Sequence, residues 1–154
     1  MSDHLYDSDF YAWTQEQAAR LRRAAAERIN VDVDWENVAE EIESMGRSDK
    51  REIESRLEEL LLHLAKLAWS PDANPRRGWK LSVAKQRAGI ARRIEESPSL
   101  KHYPGEALAK CWTDARRQAE VDLDRSDDSL PAACPWDLKT QILDADWLPE
   151  HPVA

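Results

Sequence analysis

AEEIESMGRSDKREIESRLEELLLHLAK, residues 39–66, is the stretch of sequence that decides the fold. It contains no proline and one glycine, and its second part repeats large aliphatic residues at spacings of three and four. Such spacing places Ile53, Leu57, Leu60 and Leu64 on one face of a helix. The pattern therefore predicts a helix over about residues 50–69 with this face in the core.

The residues before this helix predict another one, which begins near Asp34. Its apolar face would consist of Trp35, Val38, Ile42 and Met45. Gly46, followed by Asp49 and then by Glu52, is typical of a helix end and a new capping box. We therefore predict a break or kink at about residues 46–49, so that the centre of the fold is a long kinked helix pair.

Four further helices are predicted on either side of this pair, and no segment alternates as a strand should. They cover about residues 9–26, 77–95, 104–123 and 135–145. The expected fold is an all-α, single-domain bundle of five to six helices over residues 1–154, with its core in about residues 8–149.

The charge of the chain is unevenly distributed. The net charge is -8, but residues 76–93 contain seven basic residues and no acidic one. They are Arg76, Arg77, Lys80, Lys85, Arg87, Arg92 and Arg93. Two interpretations stay open, of which the first is that this basic helix lies against acidic helices within the fold. The second is that Arg76, Arg77, Lys80, Lys85, Arg92 and Arg93 bind RNA or another anionic partner.

The sequence lacks the motifs that are typical of several classes of function. Glycine-rich phosphate loops, paired CxxC motifs and HExxH are absent, so no cofactor and no metal are expected. Two cysteines and no secretory leader favour a cytoplasmic protein. No apolar run reaches the roughly 20 residues that a membrane span needs, and we expect no membrane contact.

The order of several sequence blocks resembles that of the bacterial domain-of-unknown-function family number twenty-nine. The blocks are DFYAW at 9–13, AEEIESMG at 39–46, SRLEELLLHLAK at 55–66, PSL at 98–100 and CPW at 134–136. The resemblance implies an all-helical fold and brings no established activity. It also singles out polar residues, several of which interrupt the predicted apolar faces: Gln17, Glu41, Arg56, His63, Lys66, Gln86 and Arg87.

One hypothesis is that these polar groups satisfy one another inside the fold. A network of Gln17, Glu41, Arg56, His63, Gln86 and Arg87, with an arginine bound to a buried Glu41, would hold the helices in register. The protein would then be an interaction module that binds a protein partner or a second copy of itself, for example within a two-gene unit.

The alternative hypothesis is a metal-independent RNA nuclease. Arg56 and His63 fit the R-x(4-6)-H pattern that resembles the HEPN class of helical ribonucleases. Histidine would act as general acid or base, arginine would stabilise phosphate charge, and Lys66 would hold the RNA backbone. The sequence does not decide between these two hypotheses, so no residue is assigned as catalytic.

A metal site is the third hypothesis, with Glu41, Glu59 and His63 as ligands. Glu59 and His63 lie one turn apart on one helix face, as ligands often do. Ferritin-like sites, however, use a Glu-x-x-His motif, and Leu60 occupies the position three residues before His63. The sequence therefore favours no metal.

Overall fold

A computed structural model describes residues 4–27 and 32–150 of the chain. These residues form α-helices, one 3-10 turn at Pro98–Leu100 and one π-helical turn at Leu138–Ile142, and they contain no strand. The α-helices are α1 (Leu5–Ser8), α2 (Phe10–Ala26), α3 (Trp35–Trp69), α4 (Arg76–Glu96) and α5 (Tyr103–Asp122). The predicted all-α class is confirmed. None of the described helices combines the length and the apolar character that crossing a bilayer requires.

The chain divides into two compact units. Unit 1 comprises the described residues of Met1–Glu52 together with Arg92–His102. Unit 2 comprises Ile53–Ala91 and the described residues of Tyr103–Ala154. Helices α3 and α4 contribute residues to both units, and the single domain over residues 1–154 stays a prediction.

The predicted break at residues 46–49 is wrong, because α3 is one helix from Trp35 to Trp69. Gly46 has an ordinary helical backbone and is buried. A Cβ atom at this position would lie 2.5 Å from Thr14 Oγ1 and 3.1 Å from Tyr11 Cδ2. The glycine therefore permits close packing of α2 against α3 instead of ending a helix.

The first part of α3 buries a different face from the predicted one. Val38 and Met45 are 39% and 47% exposed, whereas Ala39 and Gly46 are buried. In α2, likewise, Thr14 and Ala18 are the buried residues. Small residues occupy the buried positions because the helices approach each other closely there.

Two distant sequence blocks meet at the start of α2 in unit 1. Asp9 caps α2, since its Oδ1 accepts a hydrogen bond from Ala12 N at 2.9 Å. The same carboxylate accepts from Ser99 N at 2.6 Å and from Ser99 Oγ at 2.7 Å. Ser97 Oγ accepts from Tyr11 N at 3.0 Å. The DFYAW and PSL blocks therefore form one reciprocal capping arrangement.

The core of unit 2 follows the predicted apolar faces. Its part of α3 buries Ile53, Leu57, Leu60, Leu61, Leu64 and Ala68 completely. From α5 come the buried residues Cys111, Trp112, Ala115 and Ala119. Four indoles form a cluster with ring-centroid separations between 5.6 and 6.5 Å: Trp69, Trp112 and Trp136 contact one another, and Trp147 contacts Trp136.

The predicted last helix over about 135–145 is reduced to a single π-helical turn. Asp137 caps this turn by accepting from Lys139 N and Thr140 N. The bonds from Ile142 N to Asp137 O and from Leu143 N to Leu138 O are both 2.9 Å and span five residues. The chain thus begins a helical turn at the Asp137 cap but does not continue it to residue 145.

Candidate functional site

Helix α4 presents a face to solvent that has no partner among the described residues. Pro75 precedes the helix, and its carbonyl accepts from Trp79 N at 3.2 Å. The inner face buries Val83, Arg87 and Ile90, as the periodicity predicts for the two aliphatic residues. The exposed residues between them form the outer surface of the helix.

The outer side carries an apolar line that we call the α4 seam, which consists of Leu81, Ala84, Ala88 and Ala91. Leu81 is 63% exposed, and the three alanines are exposed as well. Successive residues of the seam are separated by three, four and three positions. This alternation is the spacing of the a and d positions in a coiled coil.

Three cations accompany the seam within unit 2: Arg77, Lys80 and Lys85. All three are exposed. Among residues 4–27 and 32–150 they have no carboxylate within ion-pair distance. Their charge is therefore balanced only by solvent ions in the isolated chain.

The other basic residues of this segment are distributed differently. Arg76 donates from Nη1 to Leu67 O at 2.9 Å. In unit 1, Arg93 pairs with Glu52, with Glu96 at 2.8 Å and with Asp49 at 3.9 Å, while Arg92 is exposed. Arg93 thus follows the first interpretation, because it pairs with acidic residues of α3, whereas binding of an anionic partner by the exposed residues stays a prediction.

Arg87 is the buried member of the segment, with 8% exposure. Its Nε donates to Ile142 O at 2.8 Å. Its Nη2 donates to Gln141 O at 3.1 Å and to Trp147 O at 2.8 Å. Burial lowers the pKa of Arg87, with Asp144 and Asp146 acting in the opposite direction. The guanidinium therefore holds the C-terminal segment onto α4 through backbone carbonyls.

Arg56 and Gln86, two further residues of the predicted polar network, are partners in unit 2. Arg56 Nη1 donates to Gln86 Oε1 at 3.1 Å. The guanidinium lies against Gly89, where a Cβ atom would collide with it. This contact explains why a glycine stands inside α4, and it gives Arg56 a position between two helices.

His63 faces its own helix and α4. Its Nδ1 lies 2.8 Å from Glu59 O and 3.3 Å from Ser82 Oγ. A carbonyl oxygen only accepts hydrogen bonds, so Nδ1 is assigned as the donor in this contact. The side chain is 13% exposed. The imidazole is therefore largely enclosed by these neighbours.

Lys66 forms an ion pair of 2.7 Å with Asp122 of α5. Burial alone would raise the pKa of Asp122, but hydrogen bonds from Lys66 and Gln118 outweigh it and lower the pKa. Lys66 Nζ also lies 6.0 Å from the centroid of the Trp79 ring. The lysine that the nuclease hypothesis assigns to an RNA backbone is thus already engaged with a carboxylate.

Gln17 and Glu41 complete the predicted set, and both belong to unit 1. Gln17 is half-buried, whereas Glu41 is exposed. The expectation of a buried Glu41 carboxylate is therefore wrong. The structure brings Arg56 together with Gln86, His63 with Ser82, and Arg87 with the C-terminal segment. A network of all six predicted residues stays a prediction.

Residues of α3 and α5 in unit 2 form a second polar group around Glu54. Its carboxylate accepts from Tyr103 Oη and from Lys110 Nζ, the latter at 3.4 Å. Burial raises the pKa of Cys111 to about 11, and the charges of Glu54 and Glu58 act in the same direction. The thiol is therefore protonated at neutral pH.

Over the part of the chain that the structure describes, no three His, Cys, Asp or Glu residues could hold a metal ion.

The α4 seam was not predicted from the sequence, because only the core face of α4 and its charged residues were considered. The spacing of Leu81, Ala84, Ala88 and Ala91 was the available signal. Alanines contribute little to a hydrophobic periodicity, because burial of an alanine removes only a small apolar area from water. Only the burial of Val83 and Ile90 shows that the seam faces outward.

The comparisons with known proteins concern fold and family. The family model described as "Domain of unknown function DUF29" matches residues 5–148. A crystal structure of an alpha-helical protein of unknown function from Rhodospirillum rubrum has 26% sequence identity and a TM-score of 0.75. The similarity covers 92% of this chain and 90% of that one. No curated protein matches the chain. The resemblance inferred from the sequence blocks is confirmed.

Proposed function

The chain belongs to the DUF29 family, whose function is unknown, and we propose that it is a protein-interaction module that binds a partner protein through the α4 seam. The observation that carries this proposal is the 63% exposure of Leu81 on a face with three cations that have no ion-pair partner among the described residues. A partner would remove this apolar line from water and neutralise the charges around it.

Exposed apolar residues are common on protein surfaces, and one leucine alone would carry no argument. Here the leucine continues into three exposed alanines along the same side of α4. Flat helical faces of small and apolar residues with charged flanks are typical of helix-docking surfaces. The seam therefore supports a protein partner.

The nuclease hypothesis gains no support from the geometry of its own residues. His63 is mostly buried, Lys66 is paired with Asp122, and Arg56 is bonded to Gln86. A general base needs access to the proton it removes. The hypothesis keeps a direct test: purified wild-type protein and His63→Ala are incubated with an RNA pool, and we expect no cleavage by either.

The proposed function is tested by photo-crosslinking in the cells that produce the protein. A photoreactive amino acid is placed at Ala84 or, as a control, at Val121 of α5, which is 70% exposed. We expect a defined adduct with one protein from position 84 and none from position 121. The adduct should disappear when Leu81→Asp is added.

A matched substitution controls for the effect of placing a charge on the protein surface. Val121→Asp introduces the same charge at another exposed aliphatic residue and should leave the adduct unchanged. An adduct that persists in Leu81→Asp, or that forms equally from both positions, would contradict the proposal.

A further inference from the structure

We infer, on the basis of the proposed function, that the partner contributes an acidic amphipathic helix that lies along α4 in coiled-coil geometry. The seam spacing carries the first step. If Leu81 is an a position, Ala84 is d, Ala88 is a and Ala91 is d. This register continues over about 15 Å, or nearly three turns, which matches one short partner helix.

The small side chains of the seam determine what the partner places against it. Three of the four seam residues are alanines, whose side chains fill little of the space between two helix axes about 8–10 Å apart. Large apolar knobs from the other helix would fill the space that the alanines leave. The partner helix should therefore carry leucine, isoleucine or methionine at its own a and d positions.

The charges beside the seam determine the sign of the partner. In this register Lys80 is a g position and Lys85 an e position. The two residues lie about 140° apart around the helix axis, one on each flank of the apolar line. Residues at e and g set partner choice in coiled coils. Glutamates or aspartates on both flanks of the partner would complement them.

The same charges argue against two other occupants. Two α4 seams facing each other would bring lysines next to lysines, and like charges are repulsive at this distance. A nucleic acid requires cations that converge on phosphates, whereas Lys80 and Lys85 diverge around an apolar line. An acidic helix satisfies both the apolar and the charged part of the surface.

The inference is tested with two synthetic helical peptides of about three heptads. Both have leucine at a and d, and they differ only in carrying glutamate or lysine at e and g. Binding to the full chain is measured by titration calorimetry at low and at physiological salt. We expect the glutamate peptide to bind at least about tenfold more tightly than the lysine peptide, with the difference shrinking as salt increases.

A charge exchange makes the test specific. In Lys80→Glu/Lys85→Glu the preference should reverse in favour of the lysine peptide, which no loss of folding can produce. The control Lys101→Glu/Lys139→Glu changes the net charge equally at two exposed lysines outside α4 and should keep the preference of wild type.

Equal binding of both peptides, or a preference that the exchange does not reverse, would overturn the inference. Tighter binding of an RNA of about 20 nucleotides than of the glutamate peptide would overturn it as well. Self-association of the chain that Leu81→Asp abolishes would assign the seam to a second copy instead. A crosslinked partner without any peptide preference would leave the proposed function intact and refute only the acidic helix.

Discussion

The two parts of α3 have similar spacings of apolar residues but different surroundings. In unit 1, residues 35–52 expose Val38 and Met45 and bury Ala39 and Gly46. In unit 2, Ile53, Leu57 and Leu61 have no exposed surface. One continuous helix thus has a tightly packed small-residue face in its first part and a wide aliphatic face in its second.

The difference shows that periodicity predicts a helix more reliably than it predicts which face is inside. Val38, Ile42 and Met45 form an apolar line as regular as that of the second part. Which residues are buried depends on the neighbouring helix, and Thr14 and Tyr11 of α2 lie against Gly46. The predictions below test this contrast.

The largest effect is expected for truncation of the buried leucines in unit 2. Leu61→Ala should lower the free energy of unfolding by about 2–5 kcal/mol, because it removes buried methyl groups and leaves a cavity. Val38→Ala, at an exposed position in the first part of the same helix, should change it by less than about 0.5 kcal/mol. Urea denaturation of both variants measures the difference, and equal losses would refute the contrast.

The contrast between buried and exposed positions should extend to the arginines of α4. Arg87→Met removes three hydrogen bonds from one guanidinium to backbone carbonyls and should cost about 2–3 kcal/mol. Arg92→Met, at an exposed position of the same helix, should cost less than about 0.5 kcal/mol. The fluorescence of Trp136 and Trp147, whose rings lie 5.9 Å apart, reports whether the C-terminal segment stays in place. A silent Arg87→Met would contradict the proposed role.

A smaller effect, of opposite sign at two positions, is expected for the glycines of α3 and α4. Gly46→Ala should destabilise by about 1–3 kcal/mol, because the added methyl group meets Thr14. Gly78→Ala, which meets nothing within 4 Å, should stabilise by about 0.5–1 kcal/mol through the higher helix propensity of alanine. Thermal melts distinguish the signs. A stabilising Gly46→Ala would contradict the close contact with Thr14 as the reason for this glycine.

The smallest effect concerns the ion pair between Lys66 and Asp122. The pKa of Asp122 is lowered by folding, so its contribution to stability is present above the pKa of the unfolded state, about 3.9, and is lost as the pH falls through the folded value. Asp122→Asn should destabilise by up to about 1 kcal/mol at pH 7, and the difference from wild type should vanish in acid. Asp127→Asn makes the same change in charge at an exposed aspartate and serves as the control. Unfolding measured between pH 7 and pH 3 is the test.

The sequence by itself determined the all-α class, the family and the apolar face of unit 2. These follow from local rules, because a proline-free segment with aliphatic residues every three to four positions has few alternatives to an amphipathic helix. Asp9 as the cap of α2 and the buried positions of α5 were predictable for the same reason. The sequence also placed an unusual concentration of positive charge in one helix.

The tertiary structure alone decided matters that depend on neighbours distant in sequence. Gly46 belongs to a close contact with Thr14 and ends no helix, and Glu41 is exposed instead of being buried in a network. Arg87 turns inward to three carbonyls of the C-terminal segment, whereas Lys80 and Lys85 stay in solvent. Residue types and spacing cannot assign these roles, since the free energy of a glycine or a charge depends on the atoms that the fold places next to it.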